Sequence, residues 1–236
     1  METAIYVSSN NIDCDLGNSY AGRLYIGEEF CDTCFISIHK KLMLLLEKLH
    51  LKAKFSVVLP VVNEKSICFV KQFVNDIMMY YGNHFEIICN DIGMLNYLMT
   101  MKYPHIVSGR FLTRFLMGYF ISDQSDKYEY FFKHIGRVEI DGLNSKYIHS
   151  LNRFKVSYYL NYRALGLANN RCPYRMLTDQ FPERKMCTFG CDTERLVLQN
   201  KYLNGSYTFF RNVILEKDAN DVVPLQADRV VHFSQV

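Results

Sequence analysis

The amino-acid sequence predicts a single α/β domain, residues 1–236, built as a (β/α) barrel of the TIM type. Short apolar runs alternate with longer segments of helical period, which is typical of repeated strand–helix units around a parallel sheet. No linker interrupts this series, and 236 residues suffice for one such barrel. An incomplete or distorted barrel and an open doubly wound sheet are both compatible with the same rhythm.

The candidate strands are apolar runs bounded by turn-forming residues. Seven precede residue 162 and an eighth follows near the end: IYVSS (5–9), RLYIGE (23–28), FSVVLPVV (55–62), FEIICN (85–90), HIVSG (105–109), RVEID (137–141), FKVSYYLN (154–161) and residues 230–233. Because active sites of such barrels lie at the carboxyl ends of the strands, residues directly after these runs are the first candidates for a site.

Helices are predicted where apolar residues recur every three or four positions. Residues 37–50 and 64–81 each carry one apolar stripe, and shorter helical signals cover residues 91–101 and 145–151. After Tyr162 the alternation stops. The segment from about 162 to 196 is rich in Arg, Asn, Cys and Pro, which predicts a long cysteine-bearing loop lying over a site.

The charge and the chain start exclude some classes of partner. The net charge of +3 comes from 27 basic and 24 acidic residues without Lys/Arg runs, so charge does not indicate nucleic-acid binding. The beginning METAIYVSSNN has no basic region followed by a long apolar stretch, and no run approaches the roughly 18 apolar residues that span a bilayer. We therefore expect no membrane insertion and a cytoplasmic location.

In a chain for which we expect no export signal, eight cysteines favour metal binding or catalysis over disulfides, because reducing compartments disfavour structural disulfides. Cys187 and Cys191 have the spacing C-x3-C, and Cys172 lies fifteen residues before Cys187. Cys31 and Cys34 follow the second strand, at the rim of a barrel. Four thiolates suit tetrahedral zinc or an iron–sulfur cluster.

The remaining cysteines show no such pattern. Cys68 and Cys89 lie inside apolar runs, which predicts small buried hydrophobic side chains, and Cys14 has no partner pattern.

Several short blocks, in order, resemble the collagenase-like peptidase family (peptidase family U, number thirty-two). They are GEEFC (27–31), ICNDIG (88–93), VSGRFLTR (107–114), RFKVSYYLNYR (153–163), RCPYR (171–175), CTFGC (187–191) and ADRVV (227–231). Within the family, the chain is most similar to the proteins of oxygen-independent ubiquinone biosynthesis.

This resemblance implies a barrel that binds a [4Fe-4S] cluster through Cys31, Cys172, Cys187 and Cys191. The cysteine spacing alone keeps Cys34 as the alternative to Cys31 and zinc as the alternative metal. It also implies a factor in oxygen-independent hydroxylation, or a related redox modification, of an aromatic or nucleic-acid substrate. Several family members act in pairs, so a second subunit of the same family is expected. The alternatives are a non-catalytic scaffold with a structural metal and a peptidase true to the family name.

Three polar residues near strand ends, Asp91, Arg110 and Glu139, are candidates for catalysis. Asp91 follows the fourth strand but is equally placed to cap a helix, and Arg110 follows the fifth, where it could bind a carboxylate or form a structural ion pair. Glu139 and Asp141 alternate on one side of the sixth strand, which places two carboxylates together. The motifs H-E-x-x-H and G-x-S-x-G are absent from the sequence, so familiar hydrolase machinery is missing.

Overall fold

The computed structural model describes residues 1–7, 22–49, 53–121, 125–167, 191, 196–198, 207–210, 213–217 and 222–232. Eight parallel strands close a barrel in the order β1-β12-β7-β6-β5-β4-β3-β2. They are β1 (Glu2–Val7), β2 (Arg23–Gly27), β3 (Lys54–Val58), β4 (Glu86–Cys89), β5 (Ile106–Ser108), β6 (Ile135–Ile140), β7 (Lys155–Leu160) and β12 (Arg229–His232). This arrangement is consistent with a TIM-like barrel and excludes the open sheet. Each predicted apolar run contributes one strand.

Helices follow the strands where the apolar stripe predicted them, and in two further places. They are α1 (Asp32–Leu49), α2 (Ile67–Tyr81), α3 (Ile92–Thr100), α4 (Arg110–Ile121), α5 (Ser125–Phe132) and a 3₁₀ helix (Ser145–Leu151). The apolar pattern did not predict α4 and α5. Helix α4 begins at Arg110, and only Gly109 separates it from the end of β5. Within the described ranges, no helix combines the length and apolar character needed to cross a membrane.

A second, antiparallel sheet covers one end of the barrel. Its strands are β8 (Tyr162–Leu167), β9 (Leu196–Leu198), β10 (Tyr207–Phe210) and β11 (Val213–Lys217), in the order β8-β11-β10-β9. We call it the cap sheet. The predicted loop over 162–196 is therefore wrong at residues 162–167, which form a strand. Residues 168–190 and 192–195 of that loop lie outside the described residues.

The cap sheet lies at the carboxyl ends of the barrel strands, an opening that we call the mouth. β8 follows β7 after one residue, Asn161, whose φ of 76° turns the chain. Four buried side chains of the cap sheet then pack in one cluster with apolar side chains from inside the barrel: Ala164, Phe210, Val213 and Leu215. Burial of this apolar surface stabilises the cap on the barrel.

The opposite end of the barrel is closed by charged side chains that face inward. Arg229, buried, donates to Glu2 at 2.7 Å and to Glu86 at 2.7 Å, and Arg23 donates to Glu2 at 3.1 Å. Burial opposes ionisation of Glu86, but the hydrogen bond and charge of Arg229, with the charge of Arg23, outweigh it and lower its pKa to about 2. Carboxylates and guanidinium groups thus compensate one another at this end.

Gly27 ends β2 in a conformation that no other residue adopts easily. Its φ is 139°, and a Cβ there would lie 2.1 Å from the Val58 carbonyl oxygen of the neighbouring strand. The Gly27 carbonyl also accepts a hydrogen bond from Tyr6 at 3.3 Å. The residue thereby lets the chain turn into the Glu28–Glu29 segment of the mouth.

We expect Gly27→Ala to destabilise the protein by roughly 2–5 kcal/mol, because the added methyl group meets backbone in a strained conformation. Urea denaturation measures this change. Gly118→Ala is the matched control: Gly118 lies on the exposed side of α4 with nothing within 4 Å of the added Cβ, so its stability should be unchanged or slightly higher. Equal midpoints for the two variants would contradict the role of Gly27.

Candidate functional site

Charged side chains converge in the mouth. The barrel interior between the mouth and the amino end is mostly apolar. Glu29 follows β2, Arg110 follows β5, and Glu139 and Asp141 come from the end of β6; each is 0% exposed. Buried charges are costly unless they are paired or neutralised. The partners of each group therefore indicate what the mouth can do chemically.

Arg110 and Glu29 form a two-pronged ion pair. The guanidinium Nε lies 2.9 Å from one carboxylate oxygen of Glu29 and Nη2 lies 2.7 Å from the other. The guanidinium also stacks over the Tyr159 ring, 4.0 Å from its centroid. Burial disfavours the charge, but the charge and hydrogen bonds of Glu29 outweigh it and raise the pKa of Arg110 above its ordinary value. Of the two roles predicted for Arg110, the structure shows the ion pair.

Asp141 connects the mouth to the cap sheet. Its Oδ2 accepts the Ala164 amide at 2.9 Å and lies 3.5 Å from Arg114 Nη2 and 3.8 Å from Arg110 Nη1. Arg114 in turn donates to the Leu165 carbonyl at 3.1 Å. One carboxylate thus fixes β8 and compensates two arginines.

Glu139 lies deeper, facing the barrel axis. One oxygen, Oε2, accepts a hydrogen bond from Tyr159 at 3.0 Å, whereas Oε1 has no hydrogen-bond partner in the described part of the chain. Burial, followed by the nearby charge of Glu29, raises the pKa of Glu139 to about 8, against the opposing effects of the Tyr159 hydrogen bond and of the nearby Tyr25 hydroxyl. At neutral pH this carboxyl group therefore carries a proton. Such a group can donate a proton or a hydrogen bond.

Asp91 caps helix α3. Its backbone is extended, with φ of −129° and ψ of 136°, and its side chain accepts the amides of Gly93 at 2.8 Å and Met94 at 3.0 Å. This is the structural role that its position allowed. Asn90, one residue earlier, is buried and bonds the Leu59 carbonyl and the Phe111 amide, so it joins the loops after β3 and β5.

Cys31 lies at the rim of the mouth, two residues after Glu29. It occupies the position before helix α1, where its Sγ accepts the Cys34 amide at 3.4 Å and its carbonyl accepts the Phe35 amide at 3.0 Å. The next residue, Asp32, accepts hydrogen bonds from Ser66 and Asn63, which ties this turn to the start of α2. The half-buried sulfur is therefore held in place and receives an N–H bond at a helix N-terminus, an environment that suits a thiolate ligand.

The structure describes only part of the predicted ligand set. Cys191 is buried, Cys34 is buried within α1, and Cys172 and Cys187 lie outside the described residues. Among the side chains that are described, no group of three or more His, Cys, Asp or Glu residues is arranged to hold a metal. The described residues therefore show no cluster site, and the predicted one depends on Cys172 and Cys187, which lie outside them.

The two cysteines predicted to be buried behave differently. Cys89 is fully buried, as predicted, and burial raises the pKa of its thiol to about 12. Cys68 is exposed, contrary to the prediction, because the apolar stripe of α2 that faces the core runs through Val70, Phe73, Val74 and Ile77. The phase of the helix, rather than the apolar run, decides its position.

Sequence reasoning missed Glu29 and the role of Tyr159. The signal for Glu29 was available, because a charged pair directly after an apolar strand is a typical mouth position. No local pattern singles out Tyr159, and only the fold shows that Tyr159 donates to Glu139 and that its ring lies against the Arg110 guanidinium.

Arg110→Met should destabilise the protein by about 3–5 kcal/mol, because it leaves Glu29 buried without its cation. Thermal or urea unfolding at neutral pH measures this change. Arg153→Met is the control, since Arg153 pairs with Glu129 on the surface, where such pairs contribute less than about 1 kcal/mol. Equal losses of stability in the two variants would show that the buried Arg110–Glu29 pair stabilises the protein no more than a surface pair.

The stability of the protein should also depend on pH through Glu139. The folded protein holds a proton on Glu139 up to about pH 8, whereas the unfolded chain releases it near the ordinary value of 4.5, so this contribution is complete below pH 4.5 and is lost as pH rises to about 8. The slope is about −1.4 kcal/mol per pH unit within that window.

Glu139→Gln, which mimics the protonated acid, should remove this slope. The variant should unfold like the wild type near pH 5 and be the more stable protein near pH 8 in urea titrations. Parallel pH profiles for the two proteins would show that Glu139 is ionised at neutral pH.

The comparisons with known proteins leave the family open. No family model, curated protein or solved structure matches the chain. Membership of the collagenase-like peptidase family therefore stays a prediction from the sequence blocks.

Proposed function

We propose that the chain is an iron–sulfur protein of the collagenase-like peptidase family that serves an oxygen-independent hydroxylation, or a related redox modification, of an aromatic or nucleic-acid substrate. In this proposal it acts with a second subunit of the same family. The observation that carries the proposal is the position of Cys31, which lies directly before α1 and two residues after Glu29, whose buried carboxylate pairs with Arg110.

The surroundings of Cys31 support a negatively charged ligand. The Cys31 sulfur accepts a hydrogen bond from the Cys34 amide at the N-terminus of an 18-residue helix. The partial positive charge at that helix end favours a thiolate. Cys31, Cys172, Cys187 and Cys191 would hold the cluster, with Cys34 as the alternative to Cys31. When bound, a cluster of this kind supplies one-electron transfer, and hydrogen bonds to its sulfurs adjust its potential.

The chain's own side chains would prepare the mouth for a substrate. The cap sheet lies over the opening and packs on the interior apolar cluster, which reduces the access of water. Arg110, fixed by Glu29 and by the Tyr159 ring, keeps a positive charge in place, and Glu139 holds a proton nearby. A substrate at this opening would meet a fixed cation and an acid.

A structural metal is the second candidate, and one observation favours it. Cys191 lies in the chain between β8 and β9 of the cap sheet, so a metal bound there would fasten the cap. In that case, removal of the metal should unfold the cap sheet. In the redox proposal, removal of the cluster should abolish electron uptake and leave the barrel folded.

Anaerobic purification should yield a brown protein with about four irons per chain and the visible absorption of an iron–sulfur cluster. Cys172→Ala should lose most of the iron, because a thiolate ligand is removed. Iron and sulfide analysis with visible spectroscopy measures both.

Cys68→Ala is the matched control for this test, because Cys68 is exposed on α2 and is not among the expected ligands; its iron content should equal that of the wild type. Separate alanine variants of Cys31 and Cys34 decide which of them is a ligand. A colourless protein with tightly bound zinc would contradict the redox proposal.

A further inference from the structure

Two cysteines at the start of α1 have the spacing C-x-x-C. Cys31 stands directly before the helix, where its carbonyl accepts the Phe35 amide at 3.0 Å, and Cys34 lies in the first helical turn. The helix connects β2 to β3, which pair in parallel, so the motif opens the helix of a β–α–β unit. A C-x-x-C motif in this position is typical of sites that cycle between a dithiol and a disulfide.

The two cysteines lie beside each other. Residues three positions apart in one helical turn are neighbours, and a disulfide joins cysteines whose Cα atoms lie about 4.4–6.8 Å apart, a spacing that one turn provides. The Cys31 Sγ accepts a hydrogen bond from the Cys34 amide at 3.4 Å, so this sulfur lies against the Cys34 backbone. One sulfur is therefore already placed next to the residue that carries the other.

The two cysteines differ in exposure, which gives them different roles. Cys31 is half-buried, so a reagent can reach it, whereas Cys34 is 1% exposed. In thiol–disulfide exchange, an accessible thiol attacks first and forms a mixed disulfide, and a second thiol within reach then displaces the bound partner. Cys31 suits the first step and Cys34 the second.

The chain is fixed on both sides of Cys31. Phe30, the residue before it, is buried in the apolar cluster inside the barrel. The carboxylate of Asp32, the residue after it, accepts hydrogen bonds from Ser66 and Asn63, both at 2.5 Å. Because these contacts hold the turn in place, the short loop between the two thiols can close with little movement of the backbone.

Two other described cysteines, Cys68 and Cys89, lack this arrangement. Cys89 is fully buried, and its thiol donates to the Asp91 carbonyl at 3.1 Å, so a reagent does not reach it in the folded protein. Cys68 is exposed on α2, where lysines occupy the positions three before and three after it. It is therefore an accessible thiol without a neighbouring cysteine in its own helix, and it serves as a reference within the same chain.

We propose that Cys31 and Cys34 form a thiol–disulfide exchange pair that reduces the disulfides of small thiols. The Cys31 sulfur attacks the substrate disulfide, forms a mixed disulfide and expels one thiol. The Cys34 sulfur then attacks the Cys31 sulfur, closes the internal disulfide and expels the second thiol. The protein gives up two electrons and two protons, which the two released thiols carry, so atoms and electrons balance.

The inference does not rest on the proposed function, because a Cys31 sulfur in a disulfide cannot also ligate a metal. In the test, the full chain is reduced in the presence of a chelator, and its iron and zinc are measured before oxidised glutathione is added. Peptide mapping by mass spectrometry should then find Cys31 joined to Cys34, with the loss of two hydrogen atoms. Glutathione should remain on Cys68, which has no neighbouring thiol in its helix to displace it.

Single variants separate the two steps. Cys34→Ser should keep glutathione on Cys31, because the displacing thiol is gone. In Cys31→Ser, glutathione should modify Cys34 at least about tenfold more slowly than it modifies Cys31 in Cys34→Ser, because burial limits access to the Cys34 sulfur. Cys68→Ser is the matched control and should form the internal disulfide as the wild type does. In concentrated urea, where α1 is lost, Cys34 and Cys31 should react at similar rates.

Three results would overturn the inference: a disulfide from Cys31 to a cysteine other than Cys34, glutathione retained on Cys31 in the wild type as fully as in Cys34→Ser, or a Cys31 that does not react, including one that keeps a metal through chelation. The wild-type map alone decides the pairing, so the outcome does not depend on the folding of any variant.

Discussion

The buried ion pair between Arg110 and Glu29 organises the mouth of the barrel. Its two side chains lie 81 positions apart in the sequence and join the turn after β2 to the start of α4. Arg110 also reaches the Tyr162 carbonyl of the cap sheet at 3.4 Å and approaches Asp141. Since a guanidinium group does not lose its proton, this charge is permanent, and the acids around it adjust to it.

The buried charged groups at the two ends of the barrel differ in their hydrogen-bond and ion-pair partners. At the amino end, Arg229 and Arg23 satisfy Glu2 and Glu86 with short hydrogen bonds, and both carboxylates have lowered pKa values because these bonds and charges outweigh burial. At the mouth, Glu139 has a raised pKa and an oxygen, Oε1, that has no hydrogen-bond partner among the described residues. The amino end therefore closes the barrel, whereas the mouth keeps an unsatisfied group where barrel enzymes carry out chemistry.

The cap sheet connects the mouth to the cysteine segment. β8 is held by Asp141, Arg110 and Arg114, and the chain between β8 and β9 contains Cys172, Cys187 and Cys191. A metal held by these thiols and by Cys31 would join the cap to the rim at a second point. Ligand binding and cap closure would then stabilise each other, since a metal site gains its free energy only in the folded arrangement.

Local sequence patterns were enough to predict the strands of the barrel and most of its helices. Its apolar runs predicted eight strands, because alternation and run length are local properties, and the capping position of Asp91 was readable from its place before a helix. The cysteine spacing named candidate ligands in the same way.

The closure of the barrel, the cap sheet and the pairing of Arg110 with Glu29 became visible only in the folded protein. Those features depend on register and on contacts between distant segments, which no local pattern contains. The same reason explains Cys68, where the rotation of α2 against the core overrode an apolar neighbourhood, and Glu139, whose raised pKa comes from its burial in the closed barrel and from the neighbouring Glu29.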